Sequence, residues 1–139
     1  MKKNVLSIIS LLALVSLAIA QNPDDIIGKY RLPNQLDVEI FKQNNKYYGK
    51  IVGVGDLDFE NQKDIHNPDE DLQDELLLGK VIITNLEYDK SERQWFDGSM
   101  YSPEKGLIFN LKITEVRANE IEVVGSKYFF WKTLIWKKI

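Results

Sequence analysis

Beyond position 20 the apolar residues recur at every second position, and no window keeps the i, i+3, i+4, i+7 stripe of an amphipathic helix. Leu36, Val38 and Ile40 alternate with Asp37 and Glu39. After Asn44 and Asn45 a second run fills 47–54, so the two predict a hairpin with a tight turn, preceded by a short strand at 28–32. Further strands are expected at 81–88 and 94–101 around the polar turn 89–93, at 107–114, around Ile121 and Val123, and at 133–138. About eight closely spaced strands make an all-β fold, an up-and-down barrel or a sandwich. The alternation places Phe109, Leu111, Ile113, Ile121 and Val123 on the inner face. Gly98 interrupts it, so Trp95 and Met100 can both face inward only across a bulge near Asp97 and Gly98.

The first 20 residues follow another pattern. Lys2 and Lys3 precede an almost wholly apolar stretch at 5–19, and Ala18-Ile19-Ala20 forms a small-x-small cleavage site, which together read as a signal peptide. The competing reading, an uncleaved anchor, has only about fifteen apolar residues, short for a span. Cleavage makes Gln21 the first mature residue of an exported protein, periplasmic or secreted, with no integral membrane segment. Positions 21–139 suit one domain. Removing Lys2 and Lys3 takes the net charge from −3 to −5. That acidic balance disfavours a nucleic-acid partner, which requires a dense positive surface. There is no cysteine, so an exported fold must hold by core burial alone, without disulfide, thiolate metal site or lipid-acceptor thiol.

A long acidic connection spans about 55–76, with nine carboxylates between Asp56 and Glu75 against Lys63 and the only histidine, His66. Asp56-x-Asp58-x-Glu60 imitates the opening of a calcium loop but carries Asn61 where glycine and Asn67 where glutamate is needed. A solvated face explains the charges better than a cation site, and no metal or other cofactor is expected. No Gly-x-Ser-x-Gly turn surrounds any serine, and Gly53 and Gly55 precede no helix that could hold a phosphate. No catalytic residue is assigned, and an enzyme acting through converging carboxylates has no motif to support it. The aromatic, basic stretch from Lys127 through Trp131 to Lys138 suggests a stacking platform or a membrane-surface patch, although a closing strand and the loop before it account for it more simply.

Four stretches carry a resemblance. Asp64-Ile65-His66-Asn67-Pro68-Asp69 with Leu76-Leu77-Leu78-Gly79, Trp95 to Pro103 with Gly106, Tyr47-Tyr48-Gly49-Lys50-Ile51-Val52, and Trp136-Lys137-Lys138 resemble the bacterial domain-of-unknown-function family 2147. The Asn-Pro-Asp and Gly-x-x-Tyr-x-Pro stretches are its specific parts, marking Asp64, Asn67, Pro68, Asp69, Tyr101 and Pro103 as family-motif residues. The chain departs from the family pattern at Tyr30 (tryptophan), Asp97 (glycine), Ser102 (aspartate) and Lys138 (arginine). The resemblance implies a small antiparallel lipocalin-like barrel. It also implies that Gly28, Tyr30, Trp136 and Lys138 pack together at one barrel end, with the Lys138 ammonium over the Tyr30 ring.

An eight-stranded barrel is either filled by its side chains or holds one small ligand. The reading adopted is an exported barrel binding a small apolar or amphipathic ligand, with Tyr48, Trp95 and Phe109 as the expected aromatic lining. The alternative is an envelope adaptor or structural protein with a filled barrel and an acidic loop that meets a partner.

Overall fold

The computed structural model describes residues 21–55 and 62–139; segment 1–20 and the imperfect calcium-loop run at 56–61 lie outside them. Eight strands follow in order: β1 (Gly28–Arg31), β2 (Asp37–Gln43), β3 (Lys46–Gly53), β4 (Val81–Asp89), β5 (Gln94–Ser102), β6 (Leu107–Val116), β7 (Glu120–Lys127) and β8 (Phe130–Lys138). Each lies antiparallel to the next, and β8 returns to β1 through Tyr30↔Lys138 and Arg31↔Lys137. The result is a closed barrel and not a sandwich.

The alternation works because a strand turns successive side chains to opposite faces. Val38, Ile40, Ile51, Leu111, Ile113, Ile121 and Val123 are buried, while Asn110 and Lys112 between them are exposed. The register slips between Trp95 and Gly98, with Asp97 at φ 58°, and this bulge leaves both Trp95 and Met100 inside. Glycine is required there, since a Cβ on Gly98 would stand 2.9 Å from the Leu111 carbonyl oxygen and press into Leu86. Strand ends differ from expectation by a residue or two, and most at the start of β8. β8 begins at Phe130, so 130–132 belong to the strand; four consecutive aromatics hide the alternation that would have shown it.

Antiparallel order sends alternate connections to opposite ends. Turns at 44–45, 90–93 and 117–119 cluster at one end, where residues 21–27 also lie. There Asn22-Pro23-Asp24-Asp25 starts a 3₁₀ turn, Pro23–Ile26, in which the Asn22 side chain accepts from the Asp24 N–H and the Asp25 carboxylate accepts from the Asn22 N–H, each at 2.9 Å. The turn drives Ile26 into the barrel as a stopper. Four barrel aromatics hold it: the Trp95 indole N–H donates to the Pro23 carbonyl (2.9 Å), the Tyr30 hydroxyl to the Ile26 carbonyl (2.9 Å), the Tyr47 hydroxyl to Asp24 (2.6 Å) and the Tyr88 hydroxyl to the Gln21 carbonyl (3.2 Å). Each lets a large ring be buried without stranding its polar atom, which would otherwise cost about 1–3 kcal/mol.

These contacts set the pH response of the closed end. The Tyr47 hydroxyl, then the Lys42 ammonium, hold the Asp24 carboxyl below its ordinary 3.8. A carboxyl lowered on folding stabilises fully above its unfolded value and loses that contribution as pH falls through its folded value. Burial first, and the Asp25 charge second, push the Tyr30 phenol up to about 12, so its contribution is complete below the ordinary 10 and is lost above it. Thermal melts below pH 3.8 are expected to lower the midpoint more in the parent than in Asp24→Asn, which lacks the titrating group. Equal acid sensitivity of the two contradicts this assignment.

Candidate functional site

The opposite end carries the β1–β2, β3–β4, β5–β6 and β7–β8 connections. The longest of them, between β3 and β4, is anchored by a buried carboxylate. Asp64, 1% exposed, accepts from the Tyr101 hydroxyl and from the Asn67 amide, both at 2.7 Å, and lies 3.2 Å from the Lys80 ammonium. Lys80 also meets Glu75 at 2.8 Å and stands over the Tyr101 ring at 5.8 Å. Burial works against the Lys80 charge, but its bonds to Glu75 and Asp64 outweigh it and raise its pKa. Burial, then the bond to Asp64, raises that of the Tyr101 phenol.

Asn67 turns the chain by accepting from the Asp69 N–H, and Asp69 caps the next turn through the Asp71 N–H. Pro68 is exposed between them, whereas Pro103, in the β5–β6 turn, is buried. Gly106, at φ 62°, lies so close under the His66 carbonyl that no side chain fits. The motif residues Asp64, Asn67, Asp69 and Tyr101 therefore form one hydrogen-bonded knot that straps the connection to the outer side of β5. Nothing in it is poised to attack a substrate: Asp64 spends both oxygens on donors. Among the described residues no cluster of histidine and carboxylate side chains is arranged to hold a metal ion.

The second feature is a cleft of about 590 Å³ that enters the barrel at this end. Its walls are Leu36, Met100, Phe109, Leu111, Val123 and Leu134, with Trp136 deeper and Lys105, Lys127 and Lys132 at the rim. Space exists because Gly125 has no side chain; a Cβ there would meet the Phe109 ring at 3.1 Å. On β8 the inward positions run Phe130, Lys132, Leu134, Trp136, from charged rim to apolar depth. Trp136 is 1% exposed, and its indole N–H has no hydrogen-bond partner among the described residues. The nitrogen itself is closed off from the open volume of the cleft.

Of the expected lining residues, only Phe109 borders this cleft. Tyr48 lies on the outer surface, stacked on Phe41 with ring centroids 5.9 Å apart, because Ile51, Gly49 and Tyr47 take the inward positions of β3. Trp95 is inside but at the sealed end, packed on Tyr88 and bonded to Pro23. The expected end cluster is likewise divided. Lys138 runs beside Gly28, its Cε 3.4 Å from where a Cβ would stand, and Tyr30 borders the same point. The ammonium–ring contact itself is absent among the described residues, since the Tyr30 hydroxyl is drawn down to Ile26; Trp136 belongs to the cleft instead.

The profile of a family described as an uncharacterized protein conserved in bacteria, DUF2147, matches residues 28–138, the whole barrel from β1 to the end of β8. The chain belongs to that family. Among solved structures, the protein HP1028 of the human pathogen Helicobacter pylori, whose title assigns it to the lipocalin family, superposes with a TM-score of 0.74 at 22% identity, over 82% of each chain. That likeness establishes a lipocalin-like fold. No curated protein matches. Within the family pattern, the Asn-Pro-Asp and Tyr-x-Pro stretches now have a physical role, since they meet in the Asp64 knot and at the cleft rim.

Removing the Asp64 carboxylate leaves Lys80 half-paired and Tyr101 without an acceptor, a loss on the order of 3 kcal/mol. Asp64→Ala is expected to melt roughly 10 °C lower, and Tyr101→Phe to lose about 1 kcal/mol. Melts of both variants within a degree or so of the parent would show that the knot does not hold the connection.

Proposed function

We propose that the barrel binds one small amphipathic molecule in the cleft at its open end, apolar part inward. The observation that carries this reading is the cleft itself, about 590 Å³ with walls of Leu36, Met100, Phe109, Leu111, Val123 and Leu134. Ligand sites of 300–1,000 Å³ lined by apolar side chains with one or two polar groups are the common kind. The three rim lysines favour an anionic or polar head at the entrance. The lipocalin-like fold is compatible with this use. The leader-like pattern of residues 1–20 supports an exported location, periplasmic or secreted.

Titration with a medium-chain fatty acid and with an environment-sensitive dye, followed by tryptophan emission, tests the proposal. Saturable binding is expected. Leu134→Trp, which fills the cleft, should bind the acid at least about tenfold more weakly, the equivalent of about 1.4 kcal/mol. Trp95→Phe should bind as the parent does. Binding that is unaffected by Leu134→Trp, or no binding at all, removes the reading. The protein recovered from its own cells is expected to start at Gln21; an intact Met1 terminus contradicts export with cleavage.

A further inference from the structure

The β7–β8 turn departs from every other tight turn of the barrel. At the sealed end the β2–β3 turn is made by Asn44 and Asn45, both at positive φ (51° and 62°), which asparagine tolerates. The β7–β8 turn has a similar left-handed residue, but Tyr128 occupies it (φ 55°) and Phe129 follows, an expensive choice for bulky side chains. Phe130 and Trp131 continue the series on the first two positions of β8. All four are largely in solvent: 87% exposed for Tyr128, 90% for Phe129, 80% for Phe130 and 76% for Trp131. The sealed-end turns carry polar residues, so the aromatic character is confined to the open end. A contiguous aromatic projection of this kind marks a contact surface.

The charges beside it indicate the partner. Lys127 and Lys132 bracket the four aromatics, and Lys105 stands across the mouth. None of the three has an ion pair with a described carboxylate, whereas most lysines elsewhere do. Lys127 instead donates to the Ile108 carbonyl at 2.8 Å and lies 5.4 Å from the Tyr128 ring centre. Glu104 shares the rim, and the acidic β3–β4 connection lies at the same end of the barrel, although none of its described residues lines the cleft. Tyrosine and tryptophan with lysines at their edge is the composition that settles at a lipid–water interface, rings among the upper acyl chains and ammonium groups at the phosphates. A second copy docking through the same tip would bring like-charged lysines together.

We infer that the β7–β8 hairpin tip inserts into the surface of a membrane containing anionic phospholipid, setting the mouth of the cleft against the bilayer. This inference stands on the tip alone and survives if the cleft proves to bind nothing. The protein as purified from the cells that make it would be mixed with vesicles of phosphatidylcholine, with and without one part in about three of phosphatidylglycerol, and partition read by co-sedimentation. Of the three tryptophans, Trp95 and Trp136 are buried and Trp131 is exposed, so a blue shift and quenching by lipids brominated near the headgroup report Trp131 directly. Partition to the anionic vesicles is expected, weakening as salt is raised. Phe129→Ser with Phe130→Ser should reduce it at least tenfold at an unchanged melting temperature, and Lys127→Gln with Lys132→Gln should abolish the preference for anionic lipid. Absence of partition, a Trp131 signal that lipid leaves unchanged, or parental partition by the serine variant overturns the inference. So does a dimer that the serine variant dissociates while no form binds vesicles.

Discussion

The plug at the sealed end is the interaction on which the rest of the barrel depends. Eight strands enclose too little volume for two deep cavities, and the stopper decides which half of the interior is filled. Trp95, Tyr30, Tyr47 and Tyr88 all send a polar atom to residues 21–26. Their rings are thereby committed to the sealed half, leaving smaller side chains, Leu134 and Val123 among them, and Gly125 to face the other opening. The cleft is the counterpart of that commitment. A filled end and an unfilled one come from one distribution of large and small residues along the barrel axis.

The open end is divided in function as well as in charge. On one side the Asp64 knot spends a buried carboxylate, an amide, a phenol and an ammonium on fixing the β3–β4 connection, and its geometry is that of a brace. On the other side the β7–β8 hairpin leaves four aromatics and two lysines without such bracing. The family's specific motifs fall on the braced side and at Pro103 on the rim. What they secure is access: the connection is tied to the outer side of β5, and its described residues stay out of the cleft lining.

Much of the fold was legible because a half-buried strand writes its two faces into alternate residues. Leu111 and Ile113 against Asn110 and Lys112, and the break at Gly98, carry the register of β5 and β6 unaided. The same rule was silent at Tyr47-Tyr48, where both residues are aromatic and only the phase of Ile51 tells which points inward. Parity also carries no information about depth, so Trp95 and Phe109 looked equivalent although the barrel separates them into sealed and open halves. The plug was written in Asn22-Pro23-Asp24-Asp25 as a cap, a proline and an acidic first turn, a signal too short to stand out beside the strands. Trp136 could be placed on the last strand, but its orphaned N–H depends on which neighbours surround it, and that is a property of the closed barrel.

The central claim is that the open half of the barrel is a binding site and not an imperfectly packed core. Native mass spectrometry of the protein purified from its own cells, followed by solvent extraction, tests it most directly. The account predicts a population carrying one additional small mass, released by the solvent as a molecule with an apolar body and a polar or anionic head. A single bare mass, an empty extract and no mass added on incubation with fatty acid would contradict it.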